Sequence, residues 1–196
     1  MKEVFSFPRE RRQFREVCQR AFALGMQVST GGNLSIRVDD GIFLVKPSGI
    51  SLFDLKEEGI LLMDRSGLVV EGRGKPTKEW NSHFSIYQVR QEVRGIAHYH
   101  APFATAHAVA GKEVALLTIH AKRILGRVPL IGPAKEGSDE LSTMARKVFS
   151  HEGVNAALLS GHGIMAVGKD LLEAQNVAEL LEESAKIALL SRLVRP

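Results

Sequence analysis

Residues 29–38 read Ser29-Thr30-Gly31-Gly32-Asn33-Leu34-Ser35-Ile36-Arg37-Val38. The paired glycines resemble a phosphate-binding loop, but they lead into Leu34 to Val38, which alternates apolar and polar as a strand does. A dinucleotide fingerprint or a P-loop opens a helix instead, so the doubly wound and P-loop classes are set aside. Asp39-Asp40-Gly41 then reads as a hairpin turn, and Ile42 to Val45 as the returning strand. Leu61–Asp64 and Leu68–Glu71 flank Arg65-Ser66-Gly67, a second hairpin.

Helices surround these strands. One begins near Ser6 and Pro8, carries Phe14, Val17, Cys18, Ala21 and Phe22 at helical spacing, and stops at Gly25. Thr77 is placed to cap a helix from about Lys78 to Gln91. Ile96 to His100 reads as a short strand before a helix over Phe103–Ala110. Ser138 caps a helix through Phe149, and Asp170 caps a long one from Leu171 to about Leu193. Between those two, Asn155–Ser160 and Ile164–Val167 are buried strands around Gly161-His162-Gly163. Antiparallel strands interspersed with helices predict an α/β fold, a three-layer α/β/α domain around a central, mainly antiparallel sheet. With 196 residues and no linker or repeat, the expectation is a single domain over 1–196.

Composition narrows the function classes. Hydrophobic residues make up 44% and charged residues 24%, which is globular rather than disordered. Cys18 is the only cysteine, which excludes an intrachain disulfide or a multi-cysteine zinc site. The excess of 26 Lys and Arg over 22 Asp and Glu is a mild +4. Aromatics are only 6% and do not interleave with the basic residues, so no nucleic acid is expected as partner. Anionic small substrates suit that charge better. No apolar run approaches the ~20 residues of a membrane span, and the N-terminus lacks a signal peptide's apolar stretch. No membrane partner and a cytoplasmic location are the expectations.

His98-Tyr99-His100 is the sharpest chemical feature. On a strand, positions i and i+2 share a face, with Cα atoms ~6.6–7 Å apart. Two imidazoles so spaced converge on one metal with bonds of ~2.0–2.1 Å. A third ligand is offered by His162, unobstructed between two glycines; the bland alternative is polar residues on a half-exposed strand. Glu79 is open to two accounts as well. It is a carboxylate favoured by a helix dipole, or one facing the metal and able to move a proton at carbon beside a carbonyl. Gly32, Asn33, Ser48, Gly49 and Thr77 suit a phosphate, and equally are ordinary turn residues. His83, His107 and His151 read as surface or helix-face residues, and Cys18 as buried and inert.

Taken in order, Gly31-Gly32-Asn33-Leu34-Ser35, Lys46-Pro47-Ser48-Gly49, Pro76-Thr77-Lys78-Glu79, His98-Tyr99-His100 and Leu159-Ser160-Gly161-His162-Gly163 resemble the class II aldolase and adducin head family. The likeness runs from about residue 9 to 190. The resemblance implies that His98, His100 and His162 hold zinc (Zn2+, with Mn2+ or Co2+ as alternatives) and that Glu79 is the acid/base group. It implies that Gly32, Asn33, Ser48, Gly49, Thr77 and Lys78 bind the phosphate of a phosphorylated sugar. It implies a homotetramer with active sites at subunit interfaces. The implied reaction is aldol cleavage of a phosphorylated ketose to dihydroxyacetone phosphate and an aldehyde through a metal-stabilised enediolate.

The alternative is a 3-oxo-tetronate 4-phosphate decarboxylase, and further off an epimerase, a dehydratase or a non-enzymatic adducin-like module. Thr77-Lys78, where fuculose-phosphate aldolases commonly carry Ser-Ser, is more similar to the decarboxylase branch. Glu rather than Asp at position 79 argues against an epimerase. A family tyrosine on the aldehyde side corresponds to His120, counted back without gaps from Gly126. The longer C-terminal tail of the fuculose enzyme has no counterpart before Pro196.

Overall fold

The computed structural model describes residues 5–194; residues 1–4 and 195–196 of the expected 1–196 domain lie outside them. The elements run α1 (Pro8–Ala23), β1 (Asn33–Asp39), β2 (Ile42–Val45), β3 (Leu61–Asp64), β4 (Val69–Glu71), α2 (Trp80–Val89), β5 (Gly95–Tyr99), α3 (Pro102–Val109), α4 (Ile119–Leu125), β6 (Leu130–Ile131), α5 (Asp139–Phe149), β7 (Ala156–Leu159), β8 (Gly163–Gly168) and α6 (Leu171–Leu190).

The strands form one eight-stranded sheet in the order β4-β3-β2-β1-β5-β8-β7-β6. Every neighbouring pair is antiparallel except β6 with β7. Successive strand residues turn to opposite faces, and here both faces are covered. Leu44, Leu62, Ala97, Tyr99, Leu158 and Ile164 join a core with residues of α1, α3, α4 and α6. Their neighbours Phe43, Met63, Ile96, Leu159 and Met165 join a second core with residues of α2 and α5. This is the expected α/β/α arrangement around a mainly antiparallel sheet. Burial on both faces explains why β5, β7 and β8 are buried at every position.

Several local expectations need correction. α2 starts at Trp80 rather than Lys78, and Thr77 is not its N-cap: Thr77 Oγ1 accepts instead from Glu79 N at 3.2 Å. Phe7, held at φ 58°, precedes α1 in place of Ser6. The strand expected through His100 ends at Tyr99, which leaves His100 just beyond the ladder. α4, capped by Thr118, and the two-residue β6 are elements that the sequence pattern does not predict.

Candidate active site

Three elements meet at one end of the sheet. β1 and β5 pair so that Asn33 lies opposite His98. β5 and β8 pair with Tyr99 opposite Ile164, which carries the turn holding His162 back over His98 and His100. Gly163 makes that approach feasible, because a Cβ there would lie 2.4 Å from the Tyr99 carbonyl oxygen. α2 lies across the β1 face that bears Asn33, Ser35 and Arg37, and brings Glu79 at its start to the cluster.

One ligand atom from each of His98, His100 and His162 falls within a 4.8 Å span. His98 Nε2 and His100 Nε2 are 3.2 Å apart. A tetrahedral ion with N bonds of ~2.0–2.1 Å places its ligand nitrogens about 3.3 Å from one another; the His98–His100 pair matches that spacing, and three imidazoles are a donor set that suits a divalent metal. His98 Nδ1–H donates to the Ile164 carbonyl at 2.8 Å. That bond fixes the tautomer and leaves Nε2 with its lone pair toward the cluster, as a metal ligand requires. Burial, reinforced by the other two imidazoles, holds the His98 pKa well below its usual value; burial lowers those of His100 and His162 too. Neutral imidazoles are the form that ligates.

Of the two accounts open to Glu79, the geometry favours the one facing the histidines. Its carboxylate makes no helix-capping hydrogen bond. It is 1% exposed, with Oε1 3.4 Å from His98 Nε2 and 3.5 Å from His162 Nε2. Asn33 Nδ2 donates to the same oxygen at 3.4 Å, and Oε2 is buried without a hydrogen-bond partner. Burial, with the negative charge of Glu136 behind it, raises the carboxyl pKa to about 7, against the opposing Asn33 bond. A carboxyl that exchanges its proton near neutral pH is what proton transfer at carbon needs.

The loops expected at the phosphate are tied together by main-chain and buried contacts. Pro47 and Pro76 form an isolated bridge, and Ser48 N donates to the Lys75 carbonyl at 2.8 Å. Lys46, 2% exposed, donates from Nζ to the carbonyls of Thr30 at 3.2 Å and Pro47 at 3.4 Å. Burial lowers its pKa to about 8. Ser48, Gly49 and Lys78 are exposed, Thr77 is half-buried, and Gly32 and Asn33 are buried. Gly32 sits at φ +66°, where a side chain would strain the backbone.

His120 stands apart. It is exposed on α4, its ring 3.3 Å from an Arg123 nitrogen, and it borders a groove of about 500 Å³ with Phe103, Asn176, Glu179 and Leu180. No member of the histidine cluster lines that groove, so within one chain His120 is not brought to Glu79. His83, expected as a surface or helix-face residue, is fully buried; Ser35 Oγ lies 2.8 Å from its Nδ1 and 2.9 Å from Tyr87 Oη. Gln27 and Glu136 stand near the site without having been singled out by the sequence, and Lys46 enters there only as part of a motif, with no role of its own. Lys46 is visible there as a charged residue ending an apolar strand; Gln27, between Met26 and Val28, gives no signal.

Residues 12–189 match the family described as Class II Aldolase and Adducin N-terminal domain. Among curated relatives, an L-fuculose phosphate aldolase of Methanocaldococcus jannaschii is 35% identical over 186 residues, covering 95% of this chain and 99% of that protein. A 5-methylthioribulose-1-phosphate/5-deoxyribulose-1-phosphate aldolase of Rhodospirillum rubrum is 36% identical over 87% of this chain and 76% of its own length. Among solved structures, the L-fuculose-1-phosphate aldolase of Thermus thermophilus superposes with a TM-score of 0.83 at 32% identity, covering 96% of this chain and 98% of that one.

Proposed function

The chain belongs to the class II aldolase and adducin N-terminal domain family and is a carbon–carbon lyase of the aldolase type, and from that premise we propose a zinc-dependent aldolase that cleaves a phosphorylated ketose into dihydroxyacetone phosphate and an aldehyde. The observation that carries the reading is the Glu79 carboxyl, buried and uncapped, against three converging imidazoles. Sugar-phosphate substrates are also what the names of the relatives describe.

His98, His100 and His162 would hold the ion. Zinc there would act as a Lewis acid on substrate oxygens and favour negative charge beside the carbonyl. Gly32, Asn33, Ser48, Gly49, Thr77 and Lys78 would anchor the phosphate through main-chain N–H groups, short hydroxyls and one ammonium, at a fixed distance from the histidines. In cleavage, the hydroxyl on the departing carbon passes its proton to a base on the aldehyde side, His120 of a second copy or solvent, and the carbon–carbon bonding pair passes to the carbon beside the carbonyl. The aldehyde leaves, and that carbon then takes up a proton. Glu79 is the group that delivers this last proton, from a buried position at which bulk water is excluded. His120 would serve the aldehyde oxygen only from a second copy, in keeping with a homotetramer whose active sites lie between subunits. No helix among the described residues is long and apolar enough to cross a membrane; a cytoplasmic location goes with this reading.

The test is a screen of zinc-loaded protein against phosphorylated ketoses and 3-oxo-tetronate phosphates, with zinc content measured alongside. Dihydroxyacetone phosphate is followed by coupled reduction and carbon dioxide in parallel. Release of dihydroxyacetone phosphate, lost in Glu79→Gln, is the expected result. Carbon dioxide from the keto-acid phosphate without ketose cleavage would replace the aldolase with a decarboxylase. Protein that binds no zinc, or that loses none in His162→Ala, would remove the metal from the reading.

A further inference from the structure

His100 has a weakness as a ligand. It is the first residue past β5, and the β1 and β8 ladders end at His98 and Tyr99. Its main-chain N–H therefore has no strand partner. Gln27, 3% exposed in the segment between α1 and β1, meets that need: its Oε1 accepts from His100 N at 2.8 Å. The other end of the same carboxamide is also held, with Nε2 donating to the Val28 carbonyl at 2.9 Å and lying 3.4 Å from His100 Nδ1.

The glycines of the loop before β1 are wrapped around this amide. A Cβ at Gly31 would stand 2.5 Å from Gln27 Nε2, and one at Gly32 2.8 Å from Oε1. Gly31 has no positive φ, so its lack of a side chain is a matter of space, first for Gln27 and then for the His100 ring, whose Nδ1 would lie 3.2 Å from that Cβ, and not of backbone conformation. One buried side chain thus sets the backbone of a histidine ligand and the path of the loop leading to Asn33.

We propose that Gln27 is a positioning residue for His100, its carboxamide oxygen fixing the ligand's backbone, with Gly31 left bare to admit it. The inference rests on the metal reading of the histidine cluster. An ammonium, hydroxyl or carboxylate of the first loop would be read from its charge or reach; an amide is recognised only by the N–H it satisfies. Partners that orient a metal ligand typically change affinity by roughly 10–100-fold when removed.

Zinc affinity, measured by chelator competition on the full chain without substrate, tests the role. Gln27→Leu keeps the bulk and removes the acceptor; zinc binding is expected to weaken by roughly tenfold or more. Gln27→Glu keeps the acceptor for His100 N but gives up the donor to the Val28 carbonyl, and is expected to fall between wild type and Gln27→Leu. Gly31→Ala, which removes no hydrogen-bonding group, should weaken zinc by pushing the amide aside; in a Gln27→Ala background the same change should cost less, the remainder coming from the Cβ lying 3.2 Å from His100 Nδ1 itself. That second arm serves if Gln27→Leu does not fold. Wild-type affinity in Gln27→Leu, a Gln27→Glu variant as weak as Gln27→Leu, or a Gly31→Ala penalty undiminished in the Gln27→Ala background would each overturn the proposal. Wild-type protein that takes up no zinc would overturn the metal reading as well, and is recognised without any Gln27 variant.

Discussion

His83 should make the protein acid-sensitive by an amount that can be worked out in advance. The ring is fully buried, and burial lowers its pKa from 6.5 to about 3. The folded state therefore binds the proton later than the unfolded chain does. Stability contributed by the neutral ring is present above pH 6.5 and drains away as pH falls toward 3. At about 1.36 kcal/mol per pH unit, the loss reaches about 2 kcal/mol at pH 5 and approaches ~5 kcal/mol at the acid limit. The cluster histidines shift in the same direction and Glu79 in the opposite one, so wild-type acid sensitivity alone cannot be assigned to one ring. A comparison with His83→Gln cancels those shared contributions, because glutamine can still meet Ser35 but carries no titrating ring. Urea unfolding of both proteins, with a chelator present throughout, gives the free energy at pH 7, 6 and 5. The variant is expected to start lower at pH 7 and to lose about 2 kcal/mol less than wild type on the way to pH 5. Equal losses in the two proteins would refute the reasoning: His83 would then be protonated inside the fold or reached by water.

Glu79→Gln keeps the shape of the side chain and should leave zinc bound while lowering turnover by roughly 10²–10⁴; unchanged turnover in a steady-state assay would strip Glu79 of its proton-transfer role. Lys46→Met removes the ammonium that ties the Thr30 and Pro47 carbonyls together. It should raise KM for the phosphorylated ketose by about tenfold, the equivalent of one typical hydrogen bond to a charged group, with kcat largely kept. A fall in kcat at constant KM would place Lys46 with the chemistry instead of the phosphate loops.

How far the sequence is legible depends on the range over which each signal acts. β2 has the predicted limits, Ile42–Val45, because a turn signal and an apolar run define it locally. α5 and α6 start at their expected caps, with Ser138 accepting from Leu141 N and Asp170 from Glu173 N. α4 escapes such a reading because its seven residues show no apolar stripe; Ile119 is 87% exposed. The spacing of His98 and His100 is legible on one strand, and His162 is marked by its two glycines. Their convergence is not, since it depends on the β5–β8 register, which pairs residues far apart in the chain.

The buried polar ladder under α2 shows why the surroundings of Glu79 stay hidden in the sequence. β1 alternates Leu34 and Ile36 with Asn33, Ser35 and Arg37, a period of two that on its own reads as one dry and one wet face. α2 and the residue before it carry Glu79, His83 and Tyr87 at a spacing of four, which alone reads as a solvated stripe. In the fold these two polar rows meet each other: Asn33 with Glu79, Ser35 with His83 and Tyr87, and Arg37 with the Tyr87 carbonyl at 2.8 Å. Asn33, Ser35, Glu79, His83 and Tyr87 are buried and Arg37 is half-buried, and each row satisfies part of what the other would otherwise bury at a cost. The pairing also locks the helix axially against the strand, since a slide of one residue would unmatch every rung. Because Asn33 opposes His98 in the sheet, a helix locked to β1 is locked to the histidine cluster too. The few ångströms between Glu79 and the imidazoles are therefore held by a row of hydrogen bonds, from the Asn33 rung at Glu79 itself to those at Tyr87 two helical turns away. Tyr87 thereby helps fix where Glu79 stands relative to the imidazoles without approaching them.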